Sequence, residues 1–208
     1  MSTKKTLETL TKEKAPGPTP SFQIFHIIKT LELIAHMPVG RVMLAKKLDI
    51  GEGATRTLIE RLKDEQIISV SKSGCALTRK GVDLWKKIEK VFPAKIELEK
   101  SKLTLSACNV ALLVKGKANK VKLGMEQRDA AFLAGAKGAT TLVMKKDKLT
   151  MPNEDRDTVE TAPDIHKKII GSLKPREGDV IVIGSADACN MAEYGAIAAA
   201  LTLLNDND

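Results

Sequence analysis

Aromatic side chains are scarce in this 208-residue sequence: four Phe, one Trp and one Tyr, 3% of positions. That scarcity argues against a platform that stacks single-stranded bases on aromatic rings. Cysteine is rarer still. Cys75, Cys108 and Cys189 lie far apart, with no CxxC and no histidine at metal-ligand spacing, so no metal site is expected. An odd cysteine count does not build a disulfide framework. Buried thiols are expected instead, with redox sensing by Cys75 as the alternative and Lys72 as the one basic neighbour. His26 and His36 fall in the first half and leave His166 alone in the second, so no Ser-His-Asp or Cys-His arrangement assembles. No apolar run approaches the roughly 18 residues of a membrane span, and the polar start lacks a signal segment. A soluble, cytoplasmic protein with no membrane partner is expected. GxGxxG and a P-loop lysine are missing too, so no cofactor is assigned.

What the chain does have is hydrophobic content of 43%, enough for a folded core built from Leu, Ile, Val and Ala. It also has a lopsided charge. Residues 1–95 carry 18 Lys and Arg against 10 Asp and Glu, a net +8, whereas residues 96–208 carry 16 of each. A basic surface confined to one half attracts a polyanion there and speeds the encounter.

Along the chain, residues 1–20 are rich in Lys and Thr and end in a cluster of prolines at Pro16, Pro18 and Pro20. They read as a flexible basic arm. Ser21 then caps a helix carrying Phe22, Phe25, Ile28 and Leu31 at helical spacing. A short helix from Arg41, a turn at Asp49–Glu52 and a third helix over about 53–65 follow. Ile67–Val70 and Cys75–Thr78 read as a hairpin turned at Ser73-Gly74, and a last helix runs from Val82 to about Val91.

This order, with Gly40 to Leu48, Ala54 to Ile68 and Leu77-Thr78-Arg79-Lys80-Gly81, resembles the winged helix-turn-helix of transcriptional regulators over roughly residues 21–92. Gln66 stands where that family often has Gly. The resemblance implies that the third helix enters the major groove of double-stranded DNA and the wing touches the backbone. Thr55, Arg56, Thr57 and Arg61 are then expected on the reading face, with Arg56 the best guanine contact. Lys72, Ser73, Arg79 and Lys80 are expected on phosphate or minor groove from the wing, and Arg41, Lys46 and Lys47 on flanking backbone. First and last helices commonly form the dimer contact in such proteins, which nominates Phe22, Phe25, Trp85 and Phe92.

Beyond about residue 95 the period changes. Asn109–Val114, Thr140–Met144 and Gly178–Gly184 read as strands, Lys148–Pro152 as a hairpin partner turned at Lys146-Asp147, and Met125–Ala134, Asp164–Leu173 and Asp187–Leu204 as helices. Strands alternating with helices predict a small α/β domain. The fold expected is therefore an α+β winged helix-turn-helix domain over 21–95 followed by a small α/β domain over 96–208. Gly124 to Ala131, Gly135-Ala136 and Gly178 to Gly184 resemble the uncharacterised domain attached to archaeal winged-helix regulators. A strand, small-residue turn and helix start at Gly184, Ser185, Asp187, Asn190 and Glu193, with Arg128 and Asp129, is the expected effector pocket. Asp187 is also expected to cap its helix.

The functional expectation is a dimeric, sequence-specific DNA-binding transcriptional regulator, not an enzyme, whose second half senses a small-molecule effector or dimerises. Two other readings stay open. One is an architectural DNA-binding protein whose second half only oligomerises; the other is a metabolic enzyme with an attached winged helix.

Overall fold

The computed structural model describes residues 3–12, 20–154 and 156–205. Two compact units result, the first taking the chain up to Ile88 together with Asn205 and the second spanning Glu89–Leu204, so that the last turn of the helix over 79–91 crosses the boundary. Among the described residues no helix is long and apolar enough to cross a membrane.

The first unit is built from helices α1 (Thr3–Thr11), α2 (Ile24–Ile34), α3 (Arg41–Leu48) and α4 (Glu52–Asp64), a hairpin of β1 (Ile68–Ser71) and β2 (Gly74–Leu77), and helix α5 (Arg79–Val91). Its core is aliphatic. Ile27, Leu31, Leu44, Leu48, Leu58, Leu62 and Ile67 are all nearly inaccessible, drawn from three helices and the approach to the wing. The hairpin gains a third partner through a bridge between Val39 and Cys75, whose amides exchange bonds of 3.0 and 2.9 Å. That bridge ties the wing to the segment between α2 and α3.

Two local expectations need correction. Residues 3–12 are not an extended arm: Thr3, Leu7 and Leu10 form a buried stripe on a helix that packs on α2. Two leucines three apart are a weak periodic signal, and the following prolines outweighed it. Those prolines, apart from Pro20, and Lys14 lie outside the described residues. Nor does Ser21 cap α2. The N-cap is Gln23, whose N–H donates to His26 Nδ1 at 2.9 Å.

The second unit is a five-stranded sheet in the order β3 (Lys95–Leu98), β4 (Cys108–Val114), β7 (Val180–Ala186), β5 (Gly138–Lys145) and β6 (Lys148–Thr150). Every pairing is antiparallel, although strands and helices alternate along the chain. β7 is the central strand and is buried on both faces, hence its unbroken apolar run. Helix α8 (Pro163–Leu173) covers one face, where Ile165, Ile169 and Leu173 meet Ala111, Leu113, Ile181 and Ile183. Helices α6 (Met125–Leu133) and α9 (Cys189–Leu201) pack together and against the sheet, with the four-residue α7 (Thr158–Thr161) beside α8. The β5–β6 turn falls at Lys146-Asp147 as expected, both residues having positive φ (52° and 59°), the conformation a two-residue hairpin turn demands.

Cys108 and Cys189 form a disulfide joining β4 to the start of α9 across 81 positions of sequence. Here the expectation of three free thiols fails, because sequence spacing carries no record of a strand start lying beside a helix start. Cys75 remains a free, buried thiol. Burial raises its pKa, which makes it a poor nucleophile and removes the support for redox sensing there.

Candidate nucleic-acid interface

The expected reading helix is α4. Leu58, Ile59 and Leu62 face the core, so the opposite face, with Arg56, Thr57, Glu60 and Lys63, is exposed. Arg56 makes no ion pair or side-chain hydrogen bond among the described residues, despite Glu52 and Glu60 at helical spacing. Arg41, Lys46 and Lys47 on α3, Lys72 at the wing tip and Arg79 at the start of α5 are likewise exposed and unpaired among the described residues. Thr57 is exposed, its hydroxyl resting on the Gly53 carbonyl at 3.2 Å. The wing tip is ordered by Ser71 Oγ, which lies 2.7 Å from Ser73 Oγ and accepts the Ser73 N–H at 3.2 Å.

Three of the expected contacts belong to the fold instead. Thr55 is fully buried and its hydroxyl donates to the Gly51 carbonyl at 3.1 Å, so it cannot reach a base. Arg61 is 7% exposed. Its guanidinium donates to the carbonyls of Leu10 (2.9 Å) and Lys12 (2.6 Å) and lies 5.5 Å over the Phe22 ring, so it anchors the C-terminal end of α1. Lys80 Nζ donates to the Glu65 carbonyl at 2.6 Å and pairs with the Glu65 carboxylate at 3.7 Å, closing the C-terminus of α4.

The Leu77-Thr78-Arg79-Lys80-Gly81 segment is thus mostly structural. Thr78 Oγ1 bonds the Gln66 carbonyl (2.6 Å) and accepts the Gly81 N–H (3.1 Å), capping α5. A Cβ on Gly81 would lie 2.1 Å from the Ile67 carbonyl oxygen, so only glycine lets α5 pass the chain entering β1. Arg79 alone of the motif's polar side chains is left for a partner.

Helix α3 starts at Arg41 as expected and α4 within a residue of its expected start, but the glycine caps ahead of them went unread. Gly40 and Gly51 are the N-caps of α3 and α4, and neither helix has a side-chain cap. A Cβ on Gly40, Gly51 or Gly53 would meet nothing within 4 Å. No internal packing therefore explains these glycines, which leave both N-termini without a side-chain cap. The readable signal was glycine where Ser, Thr or Asp is usual. Phe22, Phe25 and Phe92 are buried and Trp85 is half-buried, so the aromatic residues expected at a dimer contact mostly serve the core.

In the second unit the expected effector residues are each engaged with neighbouring groups. Arg128 and Asp129 pair with each other on the exposed face of α6. Gly184 is buried because a Cβ there would lie 2.2 Å from the Ala192 carbonyl oxygen, and Ser185 Oγ, fully buried, accepts the Leu105 N–H. Asp187 does not cap α9, whose N-cap is Ala188. The Ser106 hydroxyl donates to its carboxylate at 2.6 Å and Lys137 pairs with it at 3.1 Å; both hold its pKa below the usual range. Asn190 Oδ1 accepts its neighbour Met191's N–H, and Glu193 pairs with Lys95.

A cavity of about 860 Å³ lies elsewhere in the unit, between the loop at Ala118–Lys122, the β5–β6 hairpin and residues 152–154. Lys122, Lys145, Lys146 and Lys148 line it against Glu154 and Glu177. Next in sequence to Gly178 of its lining, Asp179 is a buried carboxylate that accepts from Lys115 Nζ (2.8 Å) and from the Gly116 and Arg176 amides. Among the described residues no cluster of His, Cys, Asp or Glu could hold a metal ion.

Helix-turn-helix, three-membered wing sheet and closing helix define the first unit as a winged helix of the DNA-binding class. Comparison with known proteins agrees: residues 22–92 match the family of the CggR N-terminal DNA binding domain, and residues 105–203 match a domain of unknown function, DUF4443. The chain therefore carries a CggR-type DNA-binding domain ahead of a DUF4443 domain. A hypothetical protein from Pyrococcus horikoshii OT3, an archaeal protein of solved structure, is 27% identical, with a TM-score of 0.70 over 86% of this chain and 91% of that one. No curated protein matches the chain.

Proposed function

We propose that the protein is a sequence-specific double-stranded DNA-binding transcriptional regulator that acts as a homodimer and receives a small-molecule effector in its second unit. The observation that carries the DNA reading is the exposed Arg56 on the outer face of α4, which, like the exposed Arg41, Lys46, Lys47, Lys72 and Arg79 of the same unit, has no ion pair or side-chain hydrogen bond among the described residues. A cation left without an internal partner beside bare helix N-termini suits a phosphate-lined groove. The net charge of +8 in residues 1–95 supports the same surface.

The effector part of this reading rests on the lysine-lined cavity, whose size suits a metabolite and whose charge suits an anionic one. It moves the expected pocket from the C-terminal end of β7 to the N-terminal end. The reading makes the second unit a regulatory module rather than an enzyme.

Selection of bound duplexes from a random pool, followed by titration in gel shifts, tests the DNA reading. Arg56→Ala should cost about 1–3 kcal/mol on the selected site and flatten preference at one base position. Lys72→Ala should weaken all duplexes alike and lower the salt slope by about one. No enrichment of any sequence, or unchanged binding by both variants, would remove the proposal.

A further inference from the structure

Helix α6 turns the wrong face outward for an isolated surface helix. Its inner face, Gln127 and Ala131, is buried, and Ala131 lies against Gly195 of α9. The residues at i, i+3, i+4, i+7 and i+8 from Met125 form the opposite stripe: Met125, Arg128, Asp129, Phe132 and Leu133. Met125 is 52% exposed, Phe132 67% and Leu133 84%, and Leu105, beside Arg128 over Gly138, is 55%. An apolar stripe of this kind in solvent marks a contact surface.

We propose that this stripe is where two copies of the chain meet, α6 against α6, antiparallel about a two-fold axis. The argument for a second copy is self-complementarity. An isologous interface requires that if one residue meets another, the reverse contact also forms. With the axis between Arg128 and Asp129, Arg128 meets Asp129 of the partner subunit and Asp129 meets the partner's Arg128. In the same register Met125 meets Phe132 of the partner subunit. Both apolar ends of the stripe are covered at once, and its centre carries one charge of each sign. Arg128 and Asp129 already pair within one chain at 2.9 Å, so the exchange across the axis requires only side-chain rotation. The stripe also lies in the neutral half of the sequence, so two copies approach without net repulsion there.

This inference deepens the homodimer reading above, and its test separates the two. Sedimentation equilibrium on the full chain should show a dimer. Arg128→Asp and Asp129→Arg, each alone, should place like charges opposite each other and weaken self-association at least about tenfold. Mixing the two variants should restore a dimer, because a chain with two carboxylates at the axis then faces a chain with two guanidinium groups there. Phe132→Glu should weaken the wild-type dimer and the mixed one alike. A wild-type dimer indifferent to all three substitutions overturns the α6 contact and leaves the homodimer reading standing. Single variants that weaken but do not recover on mixing overturn the register and axis proposed here. A wild-type chain monomeric at every concentration overturns both the contact and the homodimer reading. All substituted side chains are solvent-exposed, and unchanged circular dichroism confirms that folding is retained.

Discussion

Acidification should destabilise the first unit through His26. The imidazole is buried on α2, its centroid 4.5 Å from that of Phe25, and its Nδ1 accepts the Gln23 N–H at the helix start. Protonation would put a second donor against that N–H and a charge in an apolar site. Burial accordingly lowers the pKa from 6.5 to about 4. Because the folded pKa is the lower one, the unfolded chain binds more protons between the two values. His26 therefore contributes its stability fully above about pH 6.5 and loses it as pH falls toward 4. At roughly 1.4 kcal/mol per pKa unit, the whole window amounts to about 3 kcal/mol, with about 2 kcal/mol already lost at pH 5. Trp85, the single tryptophan, sits in the first unit, so its selectively excited fluorescence reports urea unfolding of that unit alone. Wild type should lose stability steadily from pH 7 to 5, and His26→Gln, whatever its absolute stability, should be nearly flat across that range. A wild-type profile that stays level, or an equal slope in the variant, would refute the assignment.

Arg61→Ala should cost about 3 kcal/mol of first-unit stability, since it strands two carbonyls and uncovers Phe22, yet should leave DNA affinity of the folded protein far less affected than Arg56→Ala; urea unfolding and gel shifts together check this. Gln66 is exposed with φ of 56°, so Gln66→Gly should stabilise the unit by about 1 kcal/mol in the same unfolding assay. Breaking the Cys108–Cys189 bond should destabilise the second unit by on the order of 4 kcal/mol, given the 81-residue separation it closes. Thiol titration in denaturant should find one thiol per chain before reduction, Cys75, and three after it; three from the outset would refute the bond.

The winged helix was legible because its helices obey a strong apolar period and its punctuation is local, although the wing turn expected at Ser73-Gly74 falls one residue earlier, at Lys72-Ser73, and α2 stops at Ile34, ahead of Pro38. Even Gln66 announced itself, as a residue placed where positive φ favours glycine. What escaped were pairings between distant segments. Nothing in the α4 sequence tells that Arg61 turns inward, because the carbonyls that hold it come from the end of α1, some fifty positions earlier. Amphipathic periodicity sorts apolar from polar, and an inward arginine on a polar stripe breaks the rule silently. The role of Gly184 escaped for a related reason. Small residues at a strand end can leave room for a ligand or for a neighbouring backbone, and Gly184 leaves room for α9.

The displaced residues sharpen the DNA surface that remains. With Thr55, Arg61 and Lys80 committed to the fold, the eight other expected contacts fall into three groups. Arg56 and Thr57 lie on the outer face of α4; Arg41, Lys46 and Lys47 lie on α3; and Lys72, Ser73 and Arg79 lie around the wing. In the proposed complex only the first group would meet base edges, and it contains one arginine and one hydroxyl. The second and third hold five of the six cations, so most of the affinity should come from phosphate and fall with salt. Sequence discrimination then rests on few side chains of one recognition helix, each worth a few kcal/mol at most. A single such helix gives a short and weakly specific site; two related by a dyad double both the length and the discrimination energy. The small size of the base-reading group is thus itself a physical reason for such a regulator to pair, independent of the exposed stripe on α6.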